Sequence, residues 1–128
     1  MEKMAKYSVR LNEVLNLYNS MMDFEYGNVD TEKVKCEHKE LFLKYGEFMM
    51  LKEVTLWFEQ DLKEKAKDDK VYNFLTNEIV ELQQVSKLAI KTGKNSNISE
   101  RTQSKLHFLG MIKGCNRVID IFKNQIGN

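Results

Sequence analysis

Proline is absent from all 128 residues of this chain, and glycine occurs only six times. The tight turns that join strands normally use both residues, so their scarcity favours long uninterrupted helices. The length fits one domain and not two. The sequence therefore predicts a single all-α domain over residues 1–128, an antiparallel helical bundle of about four helices.

The first helix is indicated by apolar residues that recur at intervals of three and four between Met4 and Met21. This spacing draws one apolar stripe down a helix that covers about residues 2–23. Gly27 and Asn28 follow, and both tolerate the left-handed conformation that ends helices. The segment around them is therefore predicted to be a turn.

The second helix is predicted to begin at Asp30 or Thr31, since both are good N-caps, and to continue to about Lys67. Gly46 lies midway along this long helix and marks the place where it could bend.

The second half of this helix is the most apolar part of the chain. Eight of the eleven residues in 48–58 are apolar, and at helical spacing they point all round the axis. Such a helix is either central in its bundle or shared with another chain. We expect a homo-oligomer, with Met50, Val54 and Trp57 at the contact between chains.

A break at Asp68 and Asp69 is predicted to precede the third helix, which should end near Thr92. Residues 93–97 then form the clearest predicted loop. Asn97 and Glu100 have the spacing of a capping box at the start of a fourth helix, which should run to the C-terminus.

Gly110 and Gly114 lie four residues apart on one face of this fourth helix. Each weakens an isolated helix, so we expect another backbone to approach closely there. The sequence leaves two partners open, the first helix of the same chain and a second subunit.

The net charge of +1 hides an asymmetry, because residues 1–64 carry 9 Lys and Arg against 13 Asp and Glu, whereas residues 65–128 carry 11 against 6. From Leu82 onwards the count is 8 basic against 2 acidic residues, and a basic C-terminal third of this kind is a candidate surface for phosphate groups. The alternative is a solvated basic face that balances the acidic first half. The nucleic-acid-binding candidates are Lys87, Lys91, Lys94, Arg101, Lys105, Lys113 and Arg117.

One pattern indicates an enzyme. Arg101 precedes His107 by six positions, in the segment Arg-Thr-Gln-Ser-Lys-Leu-His. This resembles the Arg-x(4–6)-His signature of HEPN-family ribonucleases, which are small all-α proteins. The resemblance implies metal-independent RNA cleavage at a dimer interface, with His107 moving a proton and Arg101 holding phosphate. It covers seven residues and the fold class, and Thr102 stands where the family usually has Asn, Asp or His.

Other site chemistry is not indicated. His38 and His107 both lack the Glu three residues earlier that di-iron bundles use, so no metal and no cofactor are expected. Cys115 falls in the apolar stripe of the fourth helix and should be an inert core residue. His38 is predicted on the helix face of Val34 and Leu41, as a core or boundary residue.

The first residues lack the apolar run of a signal peptide, and no stretch is apolar enough to span a membrane, so we expect a cytoplasmic protein with reduced thiols. Lysine outnumbers arginine 17 to 3, which is typical of a low-GC bacterium or its phages. We interpret the chain as a non-enzymatic interaction or regulatory protein that binds another macromolecule, and we expect that macromolecule to be a protein. A nucleic-acid-binding accessory factor and a HEPN-like ribonuclease are the alternatives.

Overall fold

Four helices make up most of the computed structural model, which describes residues 2–62 and 69–126. Helix α1 spans Glu2–Met22, α2 spans Lys39–Leu62, α3 spans Lys70–Asn95 and α4 spans Glu100–Ile126. A short 3-10 turn lies at Thr31–Lys33, and no strand occurs among the described residues. The predicted all-α bundle of four helices is confirmed. Over the described residues, none of these helices is long and apolar enough to cross a membrane.

Helices α2 and α4 form the central pair of the bundle. Three contacts join them in the same order along both helices: Gly46 with Gly110, Met50 with Gly114, and Phe58 stacked on Phe122 at 5.2 Å between ring centroids. The two helices therefore run parallel. Helix α3 packs chiefly on α2 and helix α1 chiefly on α4, which gives the up-and-down order expected for short connections.

The close backbone approach predicted at Gly110 and Gly114 is present, and its partner is α2 of the same chain. A Cβ atom on Gly46 would lie 2.7 Å from the backbone nitrogen of Met111 and 2.8 Å from the Cα of Gly110. Carbon atoms pack at about 3.5–4.0 Å, so neither helix has room for a side chain at this crossing. The helical conformation of α2 continues through Gly46, and the glycine serves this contact.

The predicted start of the second helix is wrong. Asp30 is an N-cap, since its side chain accepts a hydrogen bond from the backbone N–H of Glu32, but it caps only the 3-10 turn. The chain then extends and α2 begins at Lys39, directly after His38, whose φ of 60° is left-handed. His38 is therefore exposed before the helix and not on its apolar face. An extended backbone covers about twice the distance per residue of a helix, which lets this short segment reach from α1 to α2.

The junction between α3 and α4 also differs from the prediction. Helix α3 continues through Gly93 to Asn95, and the cap of α4 is Ser99, whose hydroxyl accepts a hydrogen bond from the backbone N–H of Thr102 at 3.2 Å. Asn97 is not the cap. The side-chain amide of Gln103 donates to the carbonyl oxygens of Gly93 at 3.1 Å and Ile98 at 2.9 Å, which ties the two helices together without a long loop.

Asp69 is the N-cap of α3, as the sequence indicates. Its buried carboxylate accepts a hydrogen bond from the backbone N–H of Tyr72 at 3.1 Å. The predicted end of the second helix at Lys67 and the predicted break at Asp68 lie outside the described residues.

Candidate functional site

The turn after α1 presents two aromatic rings at the end of the bundle where α4 begins. Phe24 is 57% exposed, and its ring lies 5.2 Å from that of Phe108 and 6.5 Å from that of Tyr26. The turn is closed by a backbone hydrogen bond from Gly27 to Phe24 at 2.9 Å. A Cβ on Gly27 would lie 2.6 Å from the Cα of Met22, so this position needs glycine for lack of space rather than for a left-handed conformation.

Two cationic side chains of α4 gather round Tyr26. The guanidinium Nε of Arg101 donates to the Tyr26 hydroxyl at 3.2 Å, and the ammonium of Lys105 lies 5.6 Å from the centre of the Tyr26 ring. The hydrogen bond to Tyr26 raises the pKa of Arg101, which stays charged. Glu25 lies 3.8 Å from the same guanidinium, in an exposed ion pair of the kind that contributes little to stability.

We call these five residues the aromatic–cationic surface: Phe24, Tyr26, Arg101, Lys105 and Phe108. Only its two cations are predicted from the sequence. Phe24 and Tyr26 could not be paired with them, because these residues lie some 75 positions before Arg101. Two aromatic residues inside a predicted turn were the signal that could have drawn attention to them.

His107 lies on the other side of the same helix end. It is half-buried, and its imidazole packs against the ring of Tyr45 of α2 at 4.7 Å between centroids. Its Nδ1 is sealed from solvent and has no hydrogen-bond partner. Burial lowers the pKa of His107, so the imidazole is neutral at neutral pH.

His107 borders a cavity of about 390 Å³ between α2, α3 and α4, which we call the His107 cavity. Ala89 and Ile90 of α3 and the Gln103 and Ser104 side chains of α4 are also at its wall. The remaining lining is apolar and consists of Phe42, Tyr45, Phe108 and Met111. A concave apolar site with a few polar groups and one perturbed titratable residue is typical of a binding site.

The two residues of the ribonuclease pattern contact different parts of the chain. Arg101 is exposed and directed to Tyr26 and Glu25, whereas His107 packs against Tyr45. A regular helix turns residues six positions apart by about 120°, which explains this divergence. A composite site of the HEPN kind would therefore need a second chain to bring an arginine to His107.

The other predicted nucleic-acid-binding residues have varied surroundings. Lys87, Lys91 and Lys94 are exposed at intervals of four and three on α3, and Lys113 is exposed on α4. Arg117 is instead held between two carboxylates, at 2.6 Å from Glu78 of α3 and 3.5 Å from Glu47 of α2. It joins three helices and is not available to phosphate in this arrangement.

The residues proposed for the contact between chains belong mostly to the core of their own chain. Met50 is 2% exposed and Val54 is fully buried, because α2 is covered on its α3 and α4 sides. This corrects the placement of an interchain contact on these two residues. Trp57 is partly exposed, with the guanidinium of Arg10 at 5.5 Å from its ring. Among the residues of α2 from 39 to 60, the large apolar ones that are exposed are Met49 and Leu56.

The described residues give little indication of a reactive thiol or of a metal site. Cys115 is fully buried in the core, as predicted, and burial raises its pKa to about 11, so it is a protonated thiol. Cys36 is half-buried near the 3-10 turn, where its Sγ donates to the carbonyl oxygen of Glu37. No group of three or more His, Cys, Asp or Glu side chains in the described part of the chain could hold a metal ion.

Comparison with protein-family models, curated proteins and solved structures gives no match for this chain. The chain is a small all-α helical bundle, and its features that bear on function are its surfaces and its cavity.

Proposed function

We propose that this chain is a non-enzymatic interaction protein, which binds another macromolecule through the aromatic–cationic surface. The observation that supports the proposal is the position of Phe24. This residue is 57% exposed, and its ring packs against that of Phe108. Exposing a large aromatic ring to water is unfavourable, and burying it against a partner recovers that free energy.

The composition of the surface supports the same function. Aromatic residues and arginine are enriched in the buried centres of protein interfaces, and they supply most of the residues whose truncation weakens binding. The turn that carries Phe24 is tied to α1, because the Asn28 side-chain amide donates to the carbonyl oxygen of Met22 at 2.9 Å. A preorganised ring loses little conformational entropy when a partner covers it.

The test is affinity capture from the source organism, with the bound fraction analysed for both protein and nucleic acid. Phe24→Ala should reduce the captured partner by about tenfold or more, as expected for a central aromatic anchor. Phe74→Ala is the matched control, since Phe74 is 49% exposed on α3 and lies outside the surface. Equal loss in both variants, or no loss in Phe24→Ala, would contradict the proposal.

A nucleic acid is the second candidate partner for the same surface. Tyr26 holds Arg101 and Lys105 side by side, and Phe24 offers a ring on which a base could stack. Cations beside stacking rings are the usual composition of a site for single strands. This arrangement differs from the basic third considered alone, in which aromatic residues are few.

Fluorescence anisotropy with single-stranded RNA and DNA tests this candidate. Affinity should fall steeply between about 50 and 200 mM salt, and Arg101→Ala or Lys105→Ala should each reduce the salt slope by about one. Lys44→Ala, at an exposed position of α2, should leave the slope unchanged. Absence of binding at low salt would refute a nucleic-acid partner and leave protein as the partner class.

A further inference from the structure

The His107 cavity is separate in chemistry from the aromatic–cationic surface, although Phe108 contributes to both. Its volume of about 390 Å³ lies at the lower end of the range of small-molecule sites, which suits a ligand of one or two rings. The cavity is bounded by three helices of one chain, so a free molecule can enter it without an assembly being formed.

The residues that line the cavity disfavour a charged ligand. None of its described lining residues is Asp, Glu, Lys or Arg. His107 is neutral there because burial lowers the pKa of its imidazole. A charged ligand would lose its hydration without gaining a counter-charge, which is unfavourable by far more than the loss of a neutral polar group.

The shape and composition of the wall favour a flat ring. Phe42, Tyr45 and Phe108 supply aromatic surface, and Ile90, at 42% exposure, lies where an occupant would cover it. Aromatic pairs are favoured beyond the area that they bury.

The polar groups set one further requirement. The amide nitrogen of Gln103 already donates to two carbonyl oxygens, so it is committed to the α3–α4 junction. The imidazole of His107 lines the cavity, but its Nδ1 is sealed from solvent and out of a ligand's reach, so this ring offers mainly a packing surface. Ser104 adds an exposed hydroxyl at the cavity wall. A ligand with one or two hydrogen-bonding atoms matches these groups.

We propose that the His107 cavity binds an uncharged small molecule with a flat aromatic or heteroaromatic ring, which packs against the imidazole of His107, and at least one hydrogen-bonding atom, which Ser104 recognises. This ligand site is independent of the proposed macromolecular partner, and either can fail without the other.

Indole is a suitable probe, because it is flat, uncharged and has one N–H donor. Titration of the full chain, followed by NMR of its methyl and imidazole resonances, should shift the signals of Ile90, Met111 and His107 with a Kd on the order of 1 mM. The imidazole should also titrate at a lower pH in the complex, since the ligand removes more water from it. No shift at these positions up to the solubility limit of indole would overturn the proposal.

Two variants and one matched control localise the binding. Ile90→Trp and Ser104→Trp place a large ring at the cavity from α3 and from α4, and each should weaken indole binding by about tenfold or more. Val80→Trp adds the same side chain at a position of α3 that is 68% exposed and outside the cavity, and should leave the Kd unchanged. Equal weakening by Val80→Trp would show that indole binds elsewhere.

A charged probe tests the proposed ligand class. Indole-3-carboxylate should bind about tenfold more weakly than indole, since its carboxylate meets no counter-charge in the cavity. Equal affinity would refute selection for an uncharged ligand. Shifts of the Ile90 and Met111 methyl signals on dilution of the ligand-free protein would show that a second copy fills the cavity, which would also overturn the proposal.

Discussion

Replacement of Gly110 by alanine is expected to separate the central helix pair. An added Cβ would lie 2.8 Å from the carbonyl carbon of Leu43 and 3.0 Å from the Cα of Gly46. The carbonyl oxygen of Leu43 would be nearer still. Normal carbon contacts are about 3.5–4.0 Å, so the helices would have to move apart by about 1 Å or more. All of these opposing atoms belong to the backbone of α2, which cannot rotate away as a side chain can.

The expected loss of stability follows from two opposing effects. Overpacking of a tight core costs about 1–3 kcal/mol and more where the obstacle is rigid, and alanine returns up to about 1 kcal/mol through its higher helix propensity. The clash outweighs the propensity, and Gly110→Ala should lower the free energy of unfolding by about 2 kcal/mol. Urea denaturation followed by circular dichroism measures this difference, with an unchanged slope if the unfolded state is unaffected.

Gly93→Ala is the matched control for this substitution. Gly93 is also helical, but an added Cβ there would meet the side-chain amide of Gln103, which is the end of a flexible side chain. Its effect should be smaller than that of Gly110→Ala, because the amide can move where a backbone cannot, and the gain in helix propensity offsets part of the weakening of its two hydrogen bonds. A Gly110→Ala protein as stable as the wild type would refute the proposed close approach.

The double variant provides a second check. Gly46 and Gly110 occupy one crossing, so once the first alanine has separated the helices the second should cost less than it does alone. Losses that add to within about 0.5 kcal/mol would show that the two positions act independently, which would contradict a shared contact.

Four further outcomes are expected. Burial raises the pKa of Glu47, so the fold favours the protonated carboxyl, and the stability from that form is lost as the pH rises through this pKa. At pH 7, Glu47→Gln should therefore maintain or raise the melting temperature. Glu78→Gln should lower it, because Arg117 would lose its closer carboxylate. Burial lowers the pKa of His107, so the folded protein favours the neutral imidazole. This contribution to the stability of the fold is present above about pH 6.5 and is lost as the pH falls through the lowered pKa. By thermal denaturation, a His107→Gln variant should therefore lose less stability than the wild type between pH 7 and 5. If the HEPN resemblance reflects activity, RNA should be cut in EDTA, and Arg101→Ala and His107→Ala should each abolish cleavage while circular dichroism shows that the helices are retained. His107→Ala should also lower the melting temperature, because the packing on Tyr45 is lost. No cleavage by the wild type would exclude the ribonuclease. Light scattering should show a dimer or larger species at about 100 μM protein, and a monomer there would contradict the expected homo-oligomer.

The helices could be predicted from the sequence because their apolar spacing is a local property. The segment between α1 and α2 could not, because the cap signal at Asp30 is genuine but serves only a 3-10 turn. No neighbouring glycine or proline marks the left-handed backbone of His38, where the helix direction is set. Local patterns indicate the positions at which a helix can begin, and packing against the rest of the bundle determines at which of them it begins.

The candidate site was predicted only in part, for a related reason. Arg101 and His107 stood out as residue types, but their partners come from distant segments, Tyr26 from the turn after α1 and Tyr45 from α2. The glycine pair of α4 was identified because its spacing is local. Gly46, which packs against this pair, was instead interpreted as a possible bend, because the sequence alone does not show which two helices pack together.

The packing of α1 chiefly against α4 has a consequence for synthesis on the ribosome. The surface that receives α1 is made after α2 and α3, because α4 begins at Glu100. At about 5–20 residues per second, some 4–15 s pass between completion of α1 and the start of its docking partner. During that interval the apolar stripe of α1 is exposed in the nascent chain, as a site for chaperones and for premature contacts between neighbouring chains.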